Sequence, residues 1–419
     1  MDQPHPVTGI RVSGAGLVAI VCTAQVLAQI GASVWPALLP SMMQLWALTY
    51  SEAAWITAIF LAAYMVAVPV LVPLTDRFDP RAIYLLGVGL TCLGHLLFGL
   101  FADGFWTAFF ARALTGIGWA GTYMTGLKLL ADKVEGRLMS RATAGHAASI
   151  GISGALSFSF ADVLASNLGW TAPFLAAAAS AATAWLLVLC TVPGGAPPHH
   201  ESKSGSLFDF RPVLRNRSAM AYALTYCVHT LEYHAIRGWG VAFLGFVAGS
   251  VGVAGSIVSP ATVLTILGIL ATIATVMGNE LSIRFGRRRL IASALVACIA
   301  CACLLGLAAP QSYVIAIALI LFYGFMISLD SSSLTAGTAG SAEPSRRGAT
   351  LAVHSSLGYF GGFMGPLIIG WTLDLSGGMS QSSWAMAFAI IGLCVLCSLI
   401  VFSLMKPREL AGDRYEAKG

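Results

Sequence analysis

The sequence predicts an all-α polytopic membrane protein of about twelve spans in two pseudo-symmetric six-helix halves, and three observations predict it. The first is composition. Of 419 residues, 57% are hydrophobic and only 10% charged, against about 25% charged in a soluble domain. No soluble core absorbs that much apolar surface, whereas lipid does. The second is the recurrence of apolar runs of about 20 residues, the length that crosses the hydrocarbon. The third is that the Lys and Arg between these runs fall in alternate loops only.

Taken in order, the runs predict spans at 14–40, 51–74, 82–102, 105–131, 142–164, 170–192, 218–245, 258–282, 290–309, 312–338, 349–373 and 383–405. Arg77 and Arg81 separate the second and third, and Lys133, Arg137 and Arg141 the fourth and fifth. Lys203, Arg211, Arg215 and Arg217 separate the sixth and seventh, Arg284 and Arg287 to Arg289 the eighth and ninth, and Arg346 and Arg347 the tenth and eleventh. The opposite loops carry neither Lys nor Arg. The positive-inside rule then places both termini in the cytoplasm, in the inner (plasma) membrane of a bacterium. Arg11 before the first long run marks it as a retained span rather than a cleaved leader. The net charge of +5 has the same origin, so the lipid bilayer is the expected partner and nucleic acid is not. A monomer is expected.

The polar segment 193–217, PGGAPPHHESKSGSLFDFRPVLRNR, is expected to be a cytoplasmic linker. It divides an N-terminal half (1–192) from a C-terminal half (218–405), with a tail at 406–419. His199 and His200 within it are expected to be solvated. All nine cysteines fall in predicted spans, where small apolar fillers are expected rather than disulfides or redox pairs. The halves resemble one another at a fixed offset. Arg77-Phe78 and Arg284-Phe285, Ala142-Thr143 and Ala349-Thr350, and Gly151 and Gly358 are each 207 residues apart. Parallel six-span repeats with a site between them are a transporter architecture.

Two loops and one helix resemble the major facilitator superfamily over nearly the whole chain. The segment Leu74-Thr75-Asp76-Arg77-Phe78-Asp79-Pro80-Arg81 is similar to the family's G-x-L-x-D-R-x-G-R-R loop, with both glycines lost. The mirror segment Leu281 to Arg288 keeps the second glycine, Gly286, and the basic tail but lacks the Asp. The resemblance implies a gate here, built from Asp76, Arg77 and Arg81 in the first loop and Arg284, Gly286 and Arg287 in the second. Ordinary loop capping is the simpler use of the same residues. The fourth span carries Arg112, Gly116 and Gly118, similar to the family's R-x-x-x-G-x-G. An arginine inside a span marks a functional site by default, and the resemblance implies proton coupling in some members; a buried structural arginine is the alternative. Gly361, Gly365, Pro366 and Gly370 partly match a drug–proton antiporter signature, but on the eleventh span instead of the fifth. Close helix packing is the expected use of those glycines.

The seventh span holds His229, Glu232, His234 and Arg237. At about 100° per residue these four spread over roughly 200°, too wide for one metal cluster, and H-x-x-E-x-H lacks the H-E-x-x-H spacing. No metal and no cofactor are expected. The resemblance implies a central cavity among the first, fourth, seventh and tenth spans. The polar residues on those spans are Gln25 and Gln29, Arg112 and Tyr123, Glu232 and Arg237, and Asp330 with Ser331 to Ser333. Asp162 and Asp374 are expected to be solvated helix caps.

The expected function is secondary active transport of a small polar solute, an organic or inorganic anion, by alternating access coupled to protons. Arg112 and Arg237 suit an anion, because guanidiniums bind carboxylate or phosphate bidentately. Glu232, then Asp330, then His229, are the candidates to carry the proton. A drug or cation–proton antiporter, with Glu232 and Asp330 binding the cargo, is the first alternative. A non-transporting sensor is the second, and the short polar segments leave it no added soluble domain. No catalytic motif is present, so no enzyme is expected.

Overall fold

In hydrocarbon a backbone must satisfy its own N–H and C=O groups, and a helix does so within one segment. The computed structural model describes residues 14–75, 77–131, 133–195, 210–253, 258–307 and 311–410. Asp76, His199 and His200 lie outside them. The first span is a broken pair, α1 (Gly14–Gln29) and α2 (Val34–Leu45). It is followed by α3 (Tyr50–Leu74), α4 (Pro80–Phe101), a second broken pair α5 (Phe105–Ala120) and α6 (Tyr123–Ala131), α7 (Gly136–Leu168) and α8 (Ala172–Thr191). A short α9 (Arg211–Arg215) leads to α10 (Arg217–Ser250), α11 (Pro260–Phe285), α12 (Arg287–Leu307), the broken pair α13 (Tyr313–Leu329) and α14 (Ser331–Ser341), α15 (Arg347–Leu375) and α16 (Gln381–Met405).

Among the described residues, nine of these helical stretches are long and apolar enough to cross a membrane by length and composition alone. The other three are α5–α6, α10 and α15. They are the spans that carry Arg112 and Lys128, the charged run of α10, and the glycines with His354. Protein neighbours shelter this polar content. α10 packs on α15, α14, α16, α13, α2 and α11, and has little surface left for lipid. The helices also run past the predicted spans. α7 begins at Gly136, because Arg137 and Arg141 ride on a helical extension beyond the apolar stretch.

Helix starts follow from local chemistry. Thr49 and Glu52 form a reciprocal capping box on α3. Asp79 caps α4 ahead of Pro80, Asn216 caps α10, Ser259 caps α11 ahead of Pro260, and Ser380 caps α16. The turn between α11 and α12 needs Gly286, whose φ is +95°. The 207-residue offset holds in three dimensions: the bounds of α4, 80–101, shift to 287–308, and α12 runs Arg287–Leu307. The α5–α6 break at Gly121 and Thr122 shifts to 328–329, beside the α13–α14 break at Asp330.

α10 and α15 pack closely along their length, and the glycines of α15 allow it. A methyl group on Gly361 would meet the Cys227 carbonyl, and one on Gly365 the Leu231 carbonyl. The expected packing role of these glycines is therefore what the structure shows. Gly365→Val is expected to cost well over the ~1–3 kcal/mol of ordinary overpacking, because backbone cannot yield as a side chain does. It should remove the monodisperse peak in size-exclusion chromatography. Gly245→Ala, with open space around it, should leave that peak unchanged.

Candidate functional site

Two cavities lie end to end between the halves. The larger, about 480 Å³, is lined from α7 by Ala144 to Gly151, from α10 by Tyr226 to His234, and from α11 by Gly268 to Val276. It faces the end of the bundle that bears the basic loops, where Ala144 and Ala147 are exposed. The smaller, about 180 Å³, continues the path from Gly151, Tyr233 and His234 towards the opposite end. Ser33, Phe60, Arg112, Trp119 and Arg237 are among its walls.

The face of α10 turned to this path is a column of rings. The Tyr226 ring stacks on His354 at 4.0 Å and on His229 at 5.4 Å. Tyr233 follows His229 at 6.4 Å, and the Arg237 guanidinium lies 5.4 Å from the Tyr233 centroid. Spacings of three and four residues put these side chains one above another on one helix face. At the foot of the column, His354 sits between the hydroxyls of Thr335 (3.2 Å) and Thr338 (3.1 Å).

Arg237 reaches from one half into the other. Its Nη2 donates to Ser33 Oγ and to the Gly154 carbonyl, both at 2.7 Å, and Nη1 donates to Tyr233 Oη at 3.3 Å. The break between α1 and α2 puts Ser33 there, and its backbone N–H is held by Ser157 Oγ at 2.8 Å. Arg112, on α5, is 2% exposed and lies 4.6 Å from the Phe60 centroid. Its Nε and Nη1 are buried with no hydrogen-bond partner, and so is Trp119 Nε1. The described walls of the smaller cavity include no Asp or Glu. Two guanidiniums, one from each half, therefore face one space with no carboxylate to neutralise them.

The acidic residues lie elsewhere. Glu232 is 1% exposed and belongs to neither cavity wall. It is turned into the C-terminal half, where Tyr323 donates to its Oε1 at 2.6 Å. The expectation that Glu232 lines the cavity is corrected by its place on the helix: the 60° that separates it from His229 carries it past the cavity edge towards α13. Asp330, at the α13–α14 break, has Oδ1 2.9 Å from His229 Nδ1, an ion-pair distance with the N–H out of line. Of that pair, His229 faces the larger cavity. His234 lines both cavities, and its Nδ1 meets the Thr230 carbonyl at 2.9 Å.

Gln25, Gln29 and Tyr123 also lie off both linings. They hold the N-terminal half together. Tyr84 donates to Gln25 Oε1 at 3.3 Å, Gln29 Nε2 donates to Thr122 Oγ1 at 3.2 Å, and Tyr123 stacks on His146 at 5.4 Å. Each amide is satisfied on one side only: Gln25 Nε2 and Gln29 Oε1 are buried without a hydrogen-bond partner.

The described gate residues make contacts inside their own halves. Arg77 is exposed. Arg81 donates to the Leu189 carbonyl at the end of α8. Arg284 pairs with Glu280 at 2.9 Å on its own helix, Gly286 turns the chain, and Arg287 donates to the Ser333 carbonyl at 3.0 Å. Asp76, expected to complete the gate, lies outside the described residues. Besides the Arg237 bonds and a hydroxyl bond from Tyr359 on α15 to Tyr64 on α3 (2.9 Å), the polar contacts between the halves among the described residues lie at the other end. The Asp374 carboxylate accepts from the N–H groups of Tyr50 (3.1 Å) and Ser51 (2.7 Å), at the start of α3. Asp162 accepts from Ser259, the cap of α11, at 2.7 Å. Ser159 and Thr265 share a hydroxyl contact of 2.7 Å. Asp162 and Asp374 are thus cross-half latches, not the solvated caps expected from their positions.

Sequence reasoning passed over Ser33, Trp119 and Tyr233. Tyr233 carried a usable signal, four residues before Arg237 on one helix face. Ser33 and Trp119 carried none, since only the fold brings their segments to Arg237 and Arg112.

Among the described residues no group of three or more His, Cys, Asp or Glu is placed to hold a metal. The side chains that line the smaller cavity include Arg112 and Trp119, whose buried N–H donors have no partner. No curated protein sequence matches the chain. Solved structures align over nearly all of it. The nucleoside transporter NupG gives a TM-score of 0.75 at 14% identity, covering 94% of this chain and 99% of that one. A bacterial homolog to the human lysosomal transporter Spinster, in an inward-facing and occupied conformation, gives 0.76 at 15% identity, covering 98% and 100%. The POT family transporter PepTSo gives 0.73 at 11% identity, covering 93% and 97%. Identities this low establish a shared fold. The sequence pattern of the Major Facilitator Superfamily matches residues 21–262 and again 235–418. The chain is therefore an integral membrane transporter, not an enzyme, and belongs to the major facilitator superfamily.

Proposed function

We propose that the protein is a secondary active transporter of a small anion, working by alternating access and coupled to protons, as a monomer in a bacterial plasma membrane. One observation carries the anion reading: Arg112 and Arg237, from opposite halves, face one cavity with no carboxylate on its described walls. A buried charge without a counter-charge is costly unless something supplies one, and an anionic solute does so. The same feature weighs against a cationic cargo, since Glu232 and Asp330 are turned away from that space. The basic loops face the cytoplasm by the positive-inside rule. The larger cavity lies at their end and the latches at the other, so this conformation is inward-facing. The halves 1–192 and 218–405 are the moving bodies, joined by the linker 193–217, and the loops holding Asp76, Arg77, Arg81, Arg284, Gly286 and Arg287 close when the latches open.

For the proton, His229 and Asp330 are the best-placed pair. His229 touches the larger cavity, so a proton arriving through it meets the pair first, and Glu232 with Tyr323 stands behind as a second buried acid. Protonating Asp330 would release His229 and alter the ring column that ends at Arg237.

The anion reading is tested by melting the purified protein in detergent with acetate, nitrate, phosphate, benzoate or tetraphenylphosphonium. At a hundredfold excess over Kd a ligand stabilises the folded state by about 2.7 kcal/mol. At least one anion should raise the melting temperature of the wild type, and none that of Arg112→Met. The empty Arg112→Met protein should melt higher than wild type, because it no longer buries an uncompensated charge. A shift given by tetraphenylphosphonium alone would remove the anion reading, and a lower melt of the empty variant would make Arg112 a structural residue.

The proton assignment has its own readout in liposomes. Asp330→Asn should lower uptake driven by a pH gradient by about tenfold or more, within the usual range of coupling factors, while leaving solute counterflow near wild type. Unchanged gradient-driven uptake in Asp330→Asn, with a loss in Glu232→Gln, would transfer the role to Glu232.

A further inference from the structure

We infer that the cargo is an aromatic monocarboxylate of single-ring size, seated with its carboxylate on Arg112 and Trp119; the inference rests on the anion reading above. Two of the buried side chains that carry unsatisfied donors line the smaller cavity. Arg112 Nε and Nη1 and Trp119 Nε1 have no partner, and both side chains lie against one ring: the guanidinium is 4.6 Å from the Phe60 centroid, and the Trp119 ring is 5.0 Å from it. A carboxylate can accept from a guanidinium fork and an indole N–H together. Arg237, by contrast, already donates to Ser33, Gly154 and Tyr233. It lends the cavity a positive potential but leaves few donors for a second anionic head, so one carboxylate is expected rather than two.

Size and walls select the rest of the molecule. The cavity holds about 180 Å³, and a dry cavity of about 150 Å³ takes one benzene ring. Beyond the donors its sides are Phe60, Leu61, Pro36, Ile150 and Pro366, with the Tyr233 ring at the junction to the larger cavity. A bare oxyanion such as nitrate would leave those walls without partner atoms, forfeiting the dispersion contacts that a ring supplies.

The test is a thermal-melt titration of the purified protein with benzoate, nitrate, inorganic phosphate and benzyl alcohol, on wild type and on Trp119→Phe. Trp119→Phe keeps the ring and removes the donor. Benzoate should bind best to the wild type, and Trp119→Phe should weaken it on the order of tenfold, as expected for one hydrogen bond to a charged group, with the unliganded melt unchanged. Nitrate or phosphate matching benzoate, or benzoate indifferent to Trp119→Phe, would overturn the aromatic assignment and leave the anion reading intact. Benzyl alcohol matching benzoate, or no anion binding at all, would overturn both. If Trp119→Phe does not fold, the wild-type ranking of the four probes decides alone.

Discussion

The cost of holding charge away from water without a counter-charge governs the interior of this protein. Arg112 and Arg237 meet that cost in different ways. Arg237 spreads its charge over a hydroxyl, a carbonyl and a phenol, and lies 5.1 Å from the Phe158 centroid. Arg112 has the face of Phe60 and little else. A ring face stabilises a cation only modestly, so the empty site carries an uncompensated cost. On the proposed reading an anion would offset it. The empty and loaded proteins would then differ in charge at the seam between the halves, which would give a solute a means to bias which end of the seam is closed.

The same seam separates the polar residues that line the cavities from those that pack within one half. Polar side chains on the first, fourth, seventh and tenth spans were all candidates for the cavity wall. The structure divides them. Gln25, Gln29 and Tyr123 serve the packing of one half, while His229, His234, Arg112 and Arg237 line the path. Gln25 and Gln29 each find one partner between helices of their own half. A guanidinium has five donors and needs several acceptors; Arg237 finds three at the seam, and Arg112 leaves Nε and Nη1 without one.

The fold was largely legible from the order of residues, and the site only partly. Apolar runs and the alternation of basic loops marked the spans, because lipid leaves a segment little choice but helix. The orientation of α10 was not legible. It packs against other helices on nearly all sides, so no polar stripe distinguishes the cavity face from the faces against α13 and α16. Glu232 and His229, about 60° apart on the wheel, fall on opposite sides of that hidden edge. The latches were hidden for a different reason. Asp374 and Tyr50 are 324 residues apart, and nothing local to either announces the other.

The two latches look equivalent but are anchored differently. Asp374 grips main-chain N–H groups at the start of α3, which any residues except proline would present. Asp162 grips the side chain of Ser259, which only threonine could replace without losing the hydroxyl. The Asp374 contact therefore depends on one side chain and tolerates drift in the helix it holds, and a second bond, from the Met379 N–H to Tyr50 Oη at 3.2 Å, crosses the seam beside it. As substitutions accumulate, the Asp162 bond is the one that either partner can lose, and Ser159 with Thr265 is then left to hold that flank of the seam.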